Sequence, residues 1–220
     1  LMQLFYLGVV LTAWAAMAMK GFIHIPNTYM ASYHIYTGYF IEFLCLLTFI
    51  TACTTPPGYV TKHNLHKYDN FKYDGVLYAP VDCRTLKFRK VARSKYDKYS
   101  KNCVSKFDHY CVWLNNTIGE ENYRYFLIFL IIHQIMLVYG FFTVCCIFAH
   151  VIKVNGLLEA KFMSTATNTP ISASKKVIFQ YLIYAYPHLF AVLILSGIMG
   201  VVMFCFLSFH LYISIVKGMT

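Results

Sequence analysis

The sequence predicts an all-α integral membrane protein with four transmembrane helices and a small polar domain between the second and third. Three observations predict it. The 220 residues are 59% hydrophobic and only 13% charged, whereas soluble domains run nearer 45–50% apolar and about 25% charged. Apolar runs of the roughly 20 residues needed to cross a hydrocarbon core of about 30 Å occur four times. The charges are concentrated, with 13 of the 19 Lys and Arg and 7 of the 9 Asp and Glu between Tyr59 and Arg124. This composition argues against a water-soluble globular enzyme. A net charge of +10 would suit nucleic acid in a soluble protein. Here an apolar run begins at Tyr125, directly after the basic segment, so the anionic face of a membrane is the partner and nucleic acid is not.

Each element follows in order. Leu1–Met19 reads as a first span in a chain whose true start lies upstream; Ala16-Met17-Ala18 resembles a signal cleavage site and gives a secondary reading. Residues 20–28, with Pro26 and Asn27, form a turn. The second span, Tyr29–Ala52, carries His34 and Glu42, and ionisable side chains at that depth face a partner or a cavity rather than lipid. Thr54-Thr55-Pro56-Pro57-Gly58 stops that helix. Tyr125–Val151 is the third span, interrupted only by His133 and Gln134, and a polar loop follows over residues 152–176. Pro187 divides the remaining apolar stretch into an interfacial helix, Val177–Tyr186, and a fourth span, His188–Ile213, where Gly197 and Gly200 allow close helix approach. The middle segment holds 13 basic residues, against Lys20 in the first loop and Lys153, Lys161, Lys175 and Lys176 in the other. The positive-inside rule therefore puts the middle in the cytoplasm. The expected domains are residues 1–58 (helices 1 and 2), 59–124 (the cytoplasmic domain) and 125–220 (helices 3 and 4 with a luminal loop).

Cys45, Cys53, Cys145, Cys146 and Cys205 fall in apolar segments, where cysteine packs as a small hydrophobe. Sulfur chemistry starts instead from Cys83, Cys103 and Cys111 in the polar middle. The informative stretch is Phe107-Asp108-His109-Tyr110-Cys111-Val112-Trp113-Leu114-Asn115-Asn116. In extended backbone, residues two apart share a face, so His109 and Cys111 meet and the imidazole can take the thiol proton to give a nucleophile. Asp108 can hold the tautomer of His109, provided the chain bends, since a flat strand would point it the other way.

With these residues, the sequence resembles the DHHC-type protein S-acyltransferases, the integral-membrane palmitoyltransferases. The matching features are Pro57-Gly58, Lys90, Ala92-Arg93-Ser94-Lys95, Asp108-His109 with Cys111, Trp113-Leu114-Asn115-Asn116, Ile118-Gly119, and Asn122 with Phe126. Tyr73-Asp74-Gly75-Val76 and Gln180-Tyr181-Leu182 look most like the branch that includes the yeast SNARE palmitoyltransferase. Lys217-Gly218-Met219-Thr220 looks like the start of the family's Thr-Thr-x-Glu element. The resemblance implies transfer of a palmitoyl group from palmitoyl-CoA to cysteine thiols of membrane-associated proteins, in the endoplasmic reticulum or Golgi. It implies Cys111 as acyl-accepting nucleophile, His109 as general base and Asp108 as its orienting partner.

The departures concern metal. The family's cysteine-rich domain binds two zinc ions with C-x2-C-x9-H-C-x2-C-x2-C-x4-D-H-H-C-x5-C. Laid on this sequence, the first site falls on Cys83, Leu86, Tyr96 and Cys103, and the second on Asp97, Ser100, Tyr110 and Thr117. The second is lost as a metal site, so the DHYC tetrad belongs with that loss, and aromatic packing by Tyr96, Tyr99 and Tyr110 is the expected substitute. His63 and His66 would complete a two-Cys, two-His set with Cys83 and Cys103, giving at most one zinc. Of the basic residues, Arg89, Lys90, Arg93 and Lys95 are the candidates for the phosphates of the acyl-CoA co-substrate, and the remainder suit anionic lipid. Two rival functions remain open at this point: a degenerate relative acting as a membrane adaptor or assembly subunit, and a small transporter built on Glu42, His34 and His133.

Overall fold

The computed structural model describes residues 1–163 and 168–218; part of the Thr-Thr-x-Glu resemblance, Met219-Thr220, lies outside them. It is mostly helical, and four helices are long and apolar enough to cross a membrane: Met2–His24, Tyr33–Thr54, Tyr123–Val154 and Pro187–Val216. In chain order, α1 is Met2–Ala16, continued by a wide turn over Met17–Gly21 and a tight one over Phe22–His24. α2 is Tyr33–Thr54. The polar middle then contributes β1 (Tyr59–Val60), α3 (Leu65–Tyr68), β2 (Asp82–Cys83), β3 (Phe88–Arg89), β4 (Lys95–Asp97), β5 (Asn102–Val104), β6 (His109–Cys111) and β7 (Asn116–Ile118). α4 is Tyr123–Val154, followed by β8 (Lys161–Met163), β9 (Pro170–Ser172), α5 (Lys175–Ala185) and α6 (Pro187–Leu211). A wide turn over Tyr212–Val216 extends α6. α5 starts where Ser174 accepts a hydrogen bond from the Val177 amide, and Pro187 opens α6 at the first helical position, where a missing N–H costs nothing.

The chain forms two compact units. One comprises Gly8–Phe43 and His133–Phe204. Its core joins Met17, Phe22 and Met30 to Val144, Ile147, Leu182 and Leu189. One polar residue of the spans finds its partner here: His34 Nδ1 lies 2.8 Å from Tyr139 Oη. Glu42 is buried at 7% exposure, and its Oε1 has no hydrogen-bond partner. Gly197 permits the expected close approach, because a Cβ there would stand 3.2 Å from the Phe141 ring. Within the loop, β8 and β9 pair antiparallel, with Phe162 opposite Ile171.

The other unit comprises Leu1–Leu7, Leu44–Ile132 and the segment from Cys205. It contains all seven strands of the polar middle, in small antiparallel sheets: β1-β5-β4, β2-β3 and β6-β7. A cluster of Val60, Tyr68, Phe88, Val91 and Cys103, with Leu65 and Leu86 packed against it, forms the core of the first two sheets. Domains this small bury little apolar surface, so hydrogen bonds to the end of α2 matter. Asn116 Nδ2 donates to the Ala52 carbonyl at 3.0 Å and to that of Thr55 at 2.8 Å. Asn122 Nδ2 donates to Thr55 and Thr117 carbonyls at 3.1 and 2.8 Å, while its Oδ1 accepts from the Gly119 amide at 2.9 Å.

Gly119 is the keystone of that junction. A Cβ built there would sit 2.6 Å from the Pro57 carbonyl oxygen and 2.6 Å from Val104 Cγ1. Backbone oxygen does not yield cheaply, so Gly119→Ala is expected to lower stability by about 1–3 kcal/mol, read as an earlier thermal or denaturing-detergent midpoint of the purified protein.

Candidate active site

The Asp108–His109–Cys111 series is built by the β6–β7 hairpin. Its register pairs His109 with Ile118, Tyr110 with Thr117 and Cys111 with Asn116. His109 and Cys111, two apart on β6, occupy one face, as the period of an extended strand dictates, with the Cys111 side chain near enough to raise the pKa of the imidazole. The bend that Asp108 needs is present. Asp108 precedes the strand, its amide donating to the Ile118 carbonyl at 2.9 Å, and Lys106 just before it takes a left-handed conformation. The carboxylate thereby turns back, and His109 Nδ1 lies 2.8 Å from Asp108 Oδ2. Cys111 is buried, and its cross-strand partner Asn116 is the residue bonded to α2.

His109 carries the unusual charge state of the site. Burial opposes its positive form, but the hydrogen bonds to Asp108 and Cys111 and the charges of those two groups outweigh burial and raise it from 6.5 to about 9. An imidazolium with its Nδ1 proton on a carboxylate and its other edge toward a thiol is the arrangement that activates a sulfur nucleophile.

A cavity of about 660 Å³ opens beside Asp108. Arg93, Lys106 and Arg124 line it on the basic side and Glu120 and Glu121 on the acidic side. Both acids are already engaged: Glu120 with Lys106 at 3.0 Å and with Ser105, Glu121 with Lys67 and, at 2.7 Å, with the Tyr68 hydroxyl. Of the four basic residues singled out in the sequence, Arg93 lines this cavity. Lys95 lies over the ring of Phe107, another lining residue, at 4.8 Å. Arg89 is ion-paired with Asp69 and stacked on Tyr73, and Lys90 faces a smaller hollow of about 260 Å³. Lys106 and Arg124 were missed; their signal was adjacency in sequence to Asp108 and to the start of α4.

The residues standing at metal-ligand positions do not fit zinc. Asp97, Ser100, Tyr110 and Thr117 meet, but as a hydrogen-bonded knot. Thr117 Oγ1 donates to Asp97 Oδ2 at 2.6 Å, and the amides of Ser100 and Tyr99 donate to the same carboxylate at 2.9 and 3.1 Å. Although burial opposes its charge, these bonds hold the Asp97 carboxyl below its ordinary value. Tyr110 stacks on Tyr99 with ring centres 4.3 Å apart and donates to Asn115 at 2.6 Å. Cys83 and Cys103 are both buried, and burial pushes the Cys103 thiol up. Neither histidine joins them. His63 and His66 are exposed, and among the described residues no group of three or more His, Cys, Asp or Glu is placed to hold a metal ion. The physical reason is apolar: Leu86 and Phe88 pack beside Cys103 where further donors would have to stand.

Comparison with known proteins places the chain in a family. The family model described as DHHC palmitoyltransferase matches residues 78–220. A protein of Yarrowia lipolytica named palmitoyltransferase SWF1 is 44% identical over 90 residues, 40% of this chain and 24% of that protein. Palmitoyltransferase SWF1 of Saccharomyces cerevisiae is 39% identical over 80 residues, 36% of this chain and 24% of its own length. Palmitoyltransferase ZDHHC4 of Mus musculus is 29% identical over 171 residues, 77% of this chain and 50% of its own. The chain thus matches between a quarter and a half of the length of these relatives.

Proposed function

Since the chain belongs to the DHHC palmitoyltransferase family, we propose that it transfers a palmitoyl group from palmitoyl-CoA to cysteine thiols of membrane-associated proteins through an acyl thioester on Cys111. The observation that carries this reading is the series Asp108–His109–Cys111, in which His109 Nδ1 lies 2.8 Å from Asp108 Oδ2 and Cys111 stands two residues along the same strand as His109. The thiolate of Cys111 attacks the thioester carbonyl of palmitoyl-CoA, the bond to the coenzyme sulfur breaks, and that leaving sulfur takes the proton of the His109 imidazolium. In the second half, the neutral His109 takes the proton of the incoming thiol as its sulfur attacks the acyl carbonyl, and Cys111 departs as thiolate. The environment times this exchange. Once Cys111 is acylated, its bond and its charge no longer raise His109, so the imidazole becomes a base when one is needed.

The cavity beside Asp108 suits the coenzyme. Arg93 and Arg124 bring positive charge toward phosphates, while Lys106 beside them is paired with Glu120 and Lys95 lies over Phe107. The acyl chain belongs in the bilayer region, where burying about 14 methylenes contributes roughly 11 kcal/mol. In this reading residues 59–124 are the cytoplasmic catalytic domain, because they hold most of the basic residues, and the protein resides in the endoplasmic reticulum or Golgi.

The test is direct. Purified protein given labelled palmitoyl-CoA should take up label on Cys111, lose it to hydroxylamine, and pass it to a cysteine peptide; absence of label on Cys111 overturns the reading. For metal, Cys83 and Cys103 supply two of the four donors that tetrahedral zinc requires. Metal analysis of the purified protein is expected to give no more than one zinc per chain, and two would contradict the hydrogen-bonded knot at Asp97.

A further inference from the structure

A second histidine stands beside the catalytic one, supplied by the last span. His210 on α6 is 3% exposed. Its Nδ1 lies 3.0 Å from Tyr123 Oη, which in turn lies 2.9 Å from Ser214 Oγ. Ser214 donates its hydroxyl proton to the His210 carbonyl at 2.7 Å. Counting protons along this chain fixes every role. A serine hydroxyl has one proton, and Ser214 spends it on the carbonyl, so Ser214 accepts from Tyr123. Tyr123 has then spent its own, and its oxygen accepts from the Nδ1–H of His210. One tautomer of His210 satisfies all three bonds, and the ring is held from both α4 and the turn after α6.

The held ring bears on the site through one phenylalanine. His210 packs edge-on to Phe126, with centres 5.0 Å apart at 80°. Phe126 packs against His109 at 5.2 Å and 67°. Tyr123 and Phe126, three residues apart, lie on one face of the first turn of α4, and Phe206 closes on His210 from its own helix at 4.6 Å. The two imidazole centres are 6.0 Å apart. The titratable groups facing His210 from the elements around it are Asp108, His109 and Tyr123.

We propose that His210 is a positioning residue for acyl transfer: fixed by Tyr123 and Ser214, it holds Phe126 against His109 and so keeps that imidazole turned between Asp108 and Cys111. This rests on the reading of Cys111 as the nucleophile. A misplacement of about an ångström costs on the order of a hundredfold in rate, so the contact from His210 through Phe126 has ample leverage.

The experiment uses the full chain purified in detergent, with palmitoyl-CoA as donor, and compares His210→Phe, His210→Asn and Tyr123→Phe. Asparagine presents an amide N–H where Nδ1–H stood and restores the bond to Tyr123; phenylalanine fills the space without it. Two quantities are read: the rate of hydroxylamine-labile acylation, and the pH dependence of iodoacetamide alkylation at Cys111 by mass spectrometry. His210→Phe is expected to acylate at least about tenfold slower with a shifted alkylation profile, and His210→Asn to recover most of the loss. Tyr123→Phe keeps the ring packing and removes only the hydroxyl, so a slowed rate there is not a failure to fold. An asparagine variant as slow as the phenylalanine one, an alkylation profile unmoved in His210→Phe, or a parental rate in Tyr123→Phe overturns the proposal. Acylation of the parent at Cys111 with all three variants unaffected sinks only the role of His210; an unlabelled parent removes the underlying reading as well.

Discussion

Cys111→Ser takes up no hydroxylamine-labile palmitate and passes none to a cysteine peptide, a loss of about a thousandfold or more in transfer. The size of the effect follows from covalent catalysis. A serine hydroxyl nearly keeps the volume, but it is far less readily deprotonated than a thiol and gives an oxygen ester that hydroxylamine cleaves poorly at neutral pH. The buried position of Cys111, backed by Asn116 and the end of α2, means the substitution changes chemistry and not fold. The check is mass spectrometry of the peptide containing residue 111 after incubation with palmitoyl-CoA. Acyl label that persists in the serine variant, on whichever cysteine, would show that the nucleophile lies elsewhere.

Asp108→Asn is expected to slow acylation by about 10²–10⁴-fold and to move the alkaline limb of its pH profile downward. His109 stands at about 9 because the bonds and charges of Asp108 and Cys111 together overcome burial. Removing the carboxylate leaves burial in place and deletes two of the raising influences, so the imidazole falls back toward its ordinary 6.5. In the parent, the imidazolium of His109, the acid proposed for the leaving sulfur, persists until the pH climbs through about 9. In the variant it disappears at lower pH. The sign for folding is the same: the raised His109 favours the folded state fully below 6.5, and that contribution is lost as pH rises through about 9. Single-turnover acylation followed against pH measures both the rate and the limb; a limb unmoved by the substitution would assign the charge state of His109 to something other than Asp108.

The sequence made some of this legible and hid the rest for physical reasons. The four spans could be read because hydropathy is a sum over about 20 neighbouring residues. His109 and Cys111 could be paired because a strand repeats every two residues. Asp108 was harder, since its orientation depends on a left-handed residue two positions earlier and on a bond to Ile118 across the hairpin. The fate of the second metal position was half legible. The missing donors were evident, but the bond between Thr117 and Asp97 joins residues 20 apart in sequence. Arg89 and Arg93 look alike in a basic run, and only the tertiary partner distinguishes them: Arg89 meets Asp69, while Arg93 lines the cavity. His210 was not singled out, because its partner Tyr123 lies 87 positions earlier and only the fold brings the two together.

The amide nitrogen of Asn116 donates to the Ala52 carbonyl near the end of α2 and to the Thr55 carbonyl just after it, and Asn116 faces Cys111 across the hairpin. The strand that carries Cys111 is therefore tied to a helix long and apolar enough to cross a membrane, and not carried by a swinging loop. In the reading proposed above, the altitude of the sulfur over the lipid follows from where that helix stops.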